Sequence, residues 1–173
     1  MQLPCELPRL TSDGEPNHQT PTGSWKACLV TLGGELFAID LSQVREVFEL
    51  DSITPVPGMP PSLVGVANVR GTIVPLADLR QALGGSLSTT PRYAVVVGHG
   101  AHQLGLLIDE VPEIRWMLPE DRLDSSGAGQ FGERSLLSGL IRVENRVSGM
   151  LEIPALVATV EAATLDTGTP TKP

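Results

Sequence analysis

The residues with the most chemical content per position lie in Asn68-Val69-Arg70-Gly71, a polar insert in the otherwise apolar stretch Gly65 to Arg80. Asn68 and Arg70 stand two apart and share a face if the chain is extended. A guanidinium stays charged near neutral pH and exchanges no proton, so an arginine at a strand-turn edge serves recognition better than acid–base chemistry. The plainer alternatives are a surface ion pair with an acid such as Asp78, worth ~0–1 kcal/mol, and for Asn68 a bond to its own turn. Glu46 reads on its own as a solvated helix face. Phe131 reads as an anchor for its Gly/Ser loop or as an exposed contact.

Catalytic and metal-binding patterns are missing from the sequence. His18 lies in an N-terminal tail, and His99 and His102 flank a glycine-containing turn. With no Cys or carboxylate ligand nearby in sequence, those two read as solvated loop residues. Asp109 and Glu110 are adjacent, so on a strand they point to opposite faces. No G-x-S-x-G, H-E-x-x-H or Walker A sequence occurs. Gly98-His99-Gly100 lacks the third glycine and the following helix of a dinucleotide site. The expectation is no catalytic residue, no metal and no cofactor.

The elements that must position these residues are short and mostly extended. Trp25 to Leu32, Glu35 to Ile39, Leu63 to Ala67, Thr72 to Pro75, Tyr93 to Val97, Gln103 to Ile108, Leu136 to Val143 and Val147 to Ile153 read as strands, several joined by glycine turns. Asp40 or Ser42 is expected to cap a short helix with Val44 and Val47 on one face. Asp78 to Leu83 reads as a helical turn, and Ala155 to Ala163 as a C-terminal helix. Residues 1–23 and 164–173 read as flexible tails around one domain, 24–163. Two similar halves, about 24–85 and 92–153, each open with a hairpin. This pattern favours a mainly β protein of small barrels over a doubly wound sheet.

Composition narrows the function classes. The chain has 173 residues, 41% of them hydrophobic but only 3% aromatic, so a core must come from Leu, Val, Ile and Ala. A net charge of -8 argues against a nucleic-acid backbone binder. Cys5 and Cys28 form neither a disulfide framework nor a zinc spacing, which fits a reducing, cytoplasmic compartment. No leader pattern and no apolar run near ~18 residues is present, so direct membrane insertion is not expected.

The chain resembles the CheW-like coupling proteins of bacterial chemosensory systems. The resemblance covers about Trp25 to Thr159. It rests on Leu32-Gly33-Gly34-Glu35-Leu36-Phe37-Ala38-Ile39-Asp40, on Val44-Arg45-Glu46-Val47, and on the long match from Pro60 to Arg80 that includes Asn68-Val69-Arg70-Gly71. Gly105 to Val111 and Gly149 to Leu156 add to it. Val69 stands where the family pattern has Leu, and Phe37 and Ala38 where it has Tyr and Gly.

The resemblance implies two linked SH3-like five-stranded β-barrels about a hydrophobic seam, with short helices and a C-terminal helix. It implies a non-enzymatic adaptor between the cytoplasmic tip of a methyl-accepting chemoreceptor and the regulatory domain of a chemosensory histidine kinase. By the same resemblance Val44, Glu46, Asn68 and Arg70 are receptor-binding, and Ile39, Leu41 and Phe131 kinase-binding. Membrane association would then come only through partners. The alternatives are a module of a non-chemotaxis chemosensory pathway (type IV pilus, gliding or messenger output) and a small β-barrel ligand-binding protein.

Overall fold

The computed structural model of the protein describes residues 20–123 and 136–166. The expected kinase-contact residue Phe131 lies outside them. The first hairpin joins β1 (Trp25–Leu32) to β2 (Glu35–Asp40). Its turn glycines have φ of 62° and 85°, the doubly left-handed geometry of a tight two-residue hairpin. A Cβ on Gly33 would sit 2.6 Å from the Ser86 backbone nitrogen, so that turn is also packed.

The expected helix after Asp40 is a single 3-10 turn, Leu41–Gln43. Asp40 caps it, its Oδ1 accepting from the Ser42 N–H at 2.9 Å. The chain then runs extended as β3 (Val44–Glu49), with exposure alternating residue by residue. Val44 and Val47 imitate a helical i, i+3 pair, but the branched side chains and Phe48 suit a half-buried strand.

Two more hairpins follow, β4 (Leu63–Val69) with β5 (Thr72–Ala77), and β6 (Tyr93–His99) with β7 (His102–Ile108). Residues 80–84 between these hairpins form turns, and the expected helical turn is a single one in which the Leu83 N–H donates to the Leu79 carbonyl at 2.9 Å. The β6–β7 turn falls at Gly100-Ala101, between His99 and His102. After β8 (Glu113–Met117) and the two-residue β9 (Arg122–Leu123) come β10 (Leu137–Val143), β11 (Arg146–Leu151) and the helix α1 (Ile153–Asp166).

The sheets interleave the two halves of the chain. The six-stranded sheet has the order β8-β1-β2-β11-β10-β9 and the five-stranded sheet β3-β6-β7-β5-β4. Each half keeps its opening hairpin and lends its later strands to the other half's hairpin. The barrels therefore do not correspond to 24–85 and 92–153. The first barrel combines β1 and β2 with β8 to β11, and the second combines β6 and β7 with β3 to β5.

This exchange explains why β1 and β6 are apolar at nearly every position. Strands buried on both faces lose polar alternation. In β1, Ala27 and Leu29 face the first barrel's interior with Met117, Ile141 and Val143. Cys28, Val30 and Leu32 face a seam between the barrels, against Val95, Val97, Leu104 and Ile108. In β6, Ala94 and Val96 turn the other way, into the second barrel with Val69, Val74 and Leu107. Leu156 and Val157 of α1 close the seam. Burial pushes the Cys28 thiol up to about 11, so it packs as a small hydrophobe.

A polar node ties both barrels to the segment between the halves. Arg80 is 6% exposed. Its Nε donates to Asp78 Oδ1 at 3.0 Å and its Nη2 to Asp78 Oδ2 at 2.7 Å, while Nη1 donates to the Thr89 carbonyl. The Asp109 carboxylate accepts from the Gly34 N–H at 2.9 Å. Asp109 is thus a structural acceptor in the β1–β2 turn and more than a solubilising edge charge. The bidentate bond from Arg80 holds the Asp78 carboxyl below its ordinary value of 3.8. A depressed carboxylate pKa stabilises the fold above the unfolded value and loses that contribution as pH falls through the folded one. Urea melts from pH 6 to pH 2 should therefore show an acid-side decline below about pH 4 that Asp78→Asn flattens. An unchanged decline in the variant would assign it to other carboxylates.

Candidate partner-binding surface

Arg70 and Gly71 form the tip of the β4–β5 hairpin, with φ of 50° and 86°. An L-residue in the left-handed region is held there at a cost of roughly 1–2 kcal/mol. Asn68 stabilises the turn, its Oδ1 accepting from the Gly71 N–H at 2.8 Å. Asn68 therefore shares the hairpin end with Arg70 but is a turn residue, because the strand ends between the two.

Arg70 Nε lies 3.0 Å from Glu46 Oε2, with the Arg70 side chain 85% exposed and that of Glu46 31%. The pair spans the two outer strands of the five-stranded sheet, β3 and β4. Beyond β3 the chain makes an isolated bridge, Thr54 to Val66, and together they close the second barrel. Asp78, the acid suggested for Arg70 by sequence, is at the far end of β5 and is occupied by Arg80.

Val44 is separated from this group. The register of β3 against β6 shifts between Val44 and Glu46, so the two residues pair with the adjacent Val97 and Val96. Such a bulge re-aims side chains. Val44 turns to the seam, and Glu46 turns to the side on which Phe48 packs into the second barrel. Of the four expected receptor contacts, three gather at one hairpin end and Val44 is half-buried elsewhere.

The expected kinase contacts near the first barrel's edge fare differently. Ile39 is 0% exposed. It pairs opposite Cys28 and is a seam residue that no partner reaches without opening the core. Leu41 packs half-buried against the same seam.

An exposed apolar row lies on β8, which was not expected as a strand. Ile114 and Trp116 are 60% and 55% exposed, and Val111 just ahead of them is 65% exposed. They pair opposite Cys28 and Lys26, so the row continues the seam face of the sheet outward onto its edge strand. The signal was the i, i+2 spacing of Ile114 and Trp116 in a segment of charged residues. The Lys26 ammonium lies 4.7 Å from the Trp116 ring centroid.

A concavity of about 410 Å3 lies between β5, β7 and α1 and is lined by Ile73, His102, Val157 and Glu161 among others. His102 Nδ1 pairs with the Glu161 carboxylate, so His102 links β7 to the helix and is more than a solvated loop residue. Among the described residues no group of three or more His, Cys, Asp or Glu could hold a metal ion. Among the described residues, no helix is long and apolar enough to cross a membrane.

The surface is thus a charged hairpin end on one barrel and an apolar edge on the other, an arrangement suited to docking. The family model of the CheW-like domain matches residues 26–161, nearly all of the described chain. The chain belongs to the CheW-like domain family. The chemotaxis protein CheW of Rhizobium meliloti is 27% identical over 132 residues, covering 75% of this chain and 85% of that protein. Protein PilI of Pseudomonas aeruginosa is 36% identical over 105 residues, covering 60% of this chain and 59% of its own length. The scaffolding protein TtCheW from Thermoanaerobacter tengcongensis shares the fold, with a TM-score of 0.68 at 22% identity, over 80% of this chain and 91% of that one. That likeness fits the two SH3-like β-barrels and the C-terminal helix of this CheW-like chain.

Proposed function

We propose that this CheW-like chain is an adaptor that couples a chemoreceptor to a chemosensory histidine autokinase. The observation that carries the reading is the family match across residues 26–161, with no residues left over for a separate catalytic domain inside that span. Its role is to hold partners together without catalysis. By the family resemblance, the receptor meets the hairpin end, where Arg70 offers a charge that Glu46 keeps oriented.

The kinase regulatory domain binds elsewhere on the barrels. Leu41 remains a candidate there, whereas the burial of Ile39 argues against it. The protein works in the cytoplasm, brought to receptor arrays by its partners. A second output, a chemosensory pathway outside flagellar chemotaxis, is favoured by the 36% identity to Protein PilI.

Titration of the purified chain with a receptor cytoplasmic fragment and, separately, with the kinase regulatory domain tests the reading. Both are expected to bind, at sites that do not compete. Absence of binding to either fragment contradicts the adaptor role.

A further inference from the structure

Arg45 is the extra residue of the bulge in β3, between Val44 and Glu46, which pair with neighbouring positions of β6. A bulge re-aims the side chains around it, and a glycine on β6 shows where this one goes. A Cβ on Gly98 would lie 2.8 Å from Arg45 Nε and 3.5 Å from Nη2. The guanidinium therefore lies across the bare backbone of Gly98, in a slot that any side chain there would fill. Val96 faces the second barrel, and Gly98, two residues on in the same strand, looks to the same side. Glu46 pairs opposite Val96. Arg45 and Glu46 thus share one side of the strand pair, the side on which Glu46 meets the Arg70 tip.

Arg45 is exposed and, among the described residues, takes part in no ion pair. The Glu46 carboxylate is engaged by Arg70 at 3.0 Å. Two guanidinium groups flank one carboxylate, a local excess of positive charge in a chain of net charge -8. A long side chain laid in a slot has lost rotamer freedom before any partner arrives, which lowers the cost of ordering it in a complex. The planar fork of donors suits a carboxylate.

We propose that Arg45, laid in place by Gly98, is a second anchor of the hairpin-end surface and takes a carboxylate of the partner separate from the one that meets Arg70. The surface then selects a protein segment that presents two acidic side chains. The inference rests on the adaptor reading for who the partner is, and on the bulge and the Gly98 slot for the residue.

Titration of the full chain with a receptor cytoplasmic fragment, at low and at high salt, tests it. The unaltered chain is expected to bind, and more weakly as salt rises. Arg45→Ala should weaken binding about tenfold and leave kinase-domain binding and the melting temperature unchanged, because the residue is exposed and unpaired. Gly98→Ala keeps the charge but displaces the guanidinium, so it should also weaken receptor binding. The double variant should lose no more than Arg45→Ala alone, because Gly98 acts through the arginine. Full affinity in Arg45→Ala overturns the proposal and leaves the adaptor reading standing. Loss in Arg45→Ala but none in Gly98→Ala also overturns it, since the arginine then acts only by long-range attraction. Additive losses in the double variant overturn it by giving Gly98 a role of its own. A chain that binds no receptor fragment at all overturns the adaptor reading and the proposal with it.

Discussion

Arg70→Asn is expected to stabilise the protein while removing its receptor binding. Arg70 is held at φ 50°, where asparagine is tolerated far better than arginine. Relief of about 1 kcal/mol outweighs loss of the contact with Glu46, since an ion pair with one partner 85% exposed contributes little. The melting temperature should rise by about 2–4 °C for a chain of this length.

Receptor affinity should move the other way. Truncating one member of a charge pair desolvated in an interface costs about 2–5 kcal/mol, so binding should weaken by about 30-fold or more. Kinase binding should hold. Stability and binding moving together would mean that the arginine is only part of the turn, whereas opposite movement identifies strain kept for function. Calorimetry of the variant and titration with a receptor fragment give both readouts.

Gly65→Ala is expected to have the largest effect on stability, about 3 kcal/mol. Gly65 has φ 151°, and a Cβ there would lie 2.4 Å from the Thr54 carbonyl oxygen and 2.8 Å from Ile53 Cγ2. Backbone cannot retreat without breaking the bridge in which Thr54 and Val66 exchange two hydrogen bonds of 2.9 Å each. That bridge and the Glu46–Arg70 pair close the same barrel, so receptor binding should fall with it. Gly71→Ala is the comparison. It also has positive φ, but its Cβ would meet nothing within 4 Å, so about 1 kcal/mol is expected. Urea denaturation separates the two, and equal losses would show that strain at φ, not closure of the barrel, sets the cost.

The strands of the four main hairpins were legible in the sequence because apolar runs and turn residues act locally, whereas the seam came only from the family resemblance. Pairing is not local. Nothing in the pattern of Glu35 to Asp40 says that β2 takes β11 as its second neighbour, so the interleaving of the halves was hidden. β3 was misread because Val44 and Val47 satisfy a helical spacing that the bulge at Arg45 makes irrelevant. The same bulge sends Val44 away from Glu46. Arg70 was singled out by its residue type and its place at a strand-turn edge, but its ion-pair partner was not, because Glu46 reaches it only when the barrel closes. Ile39 came from the family resemblance as a contact near the first barrel's edge, but it lies in β2, an interior strand of its sheet, and faces the buried seam.

Recruitment of the kinase to receptor-bearing membranes tests the central claim most directly. Membranes carrying a chemoreceptor are sedimented with the kinase, with and without this chain, and with its Arg70→Asn form. The account predicts that the kinase pellets with the membranes only when the unaltered chain is present, and that the variant stays bound to kinase in the supernatant. Kinase that pellets equally without the chain, or equally with the variant, would contradict it.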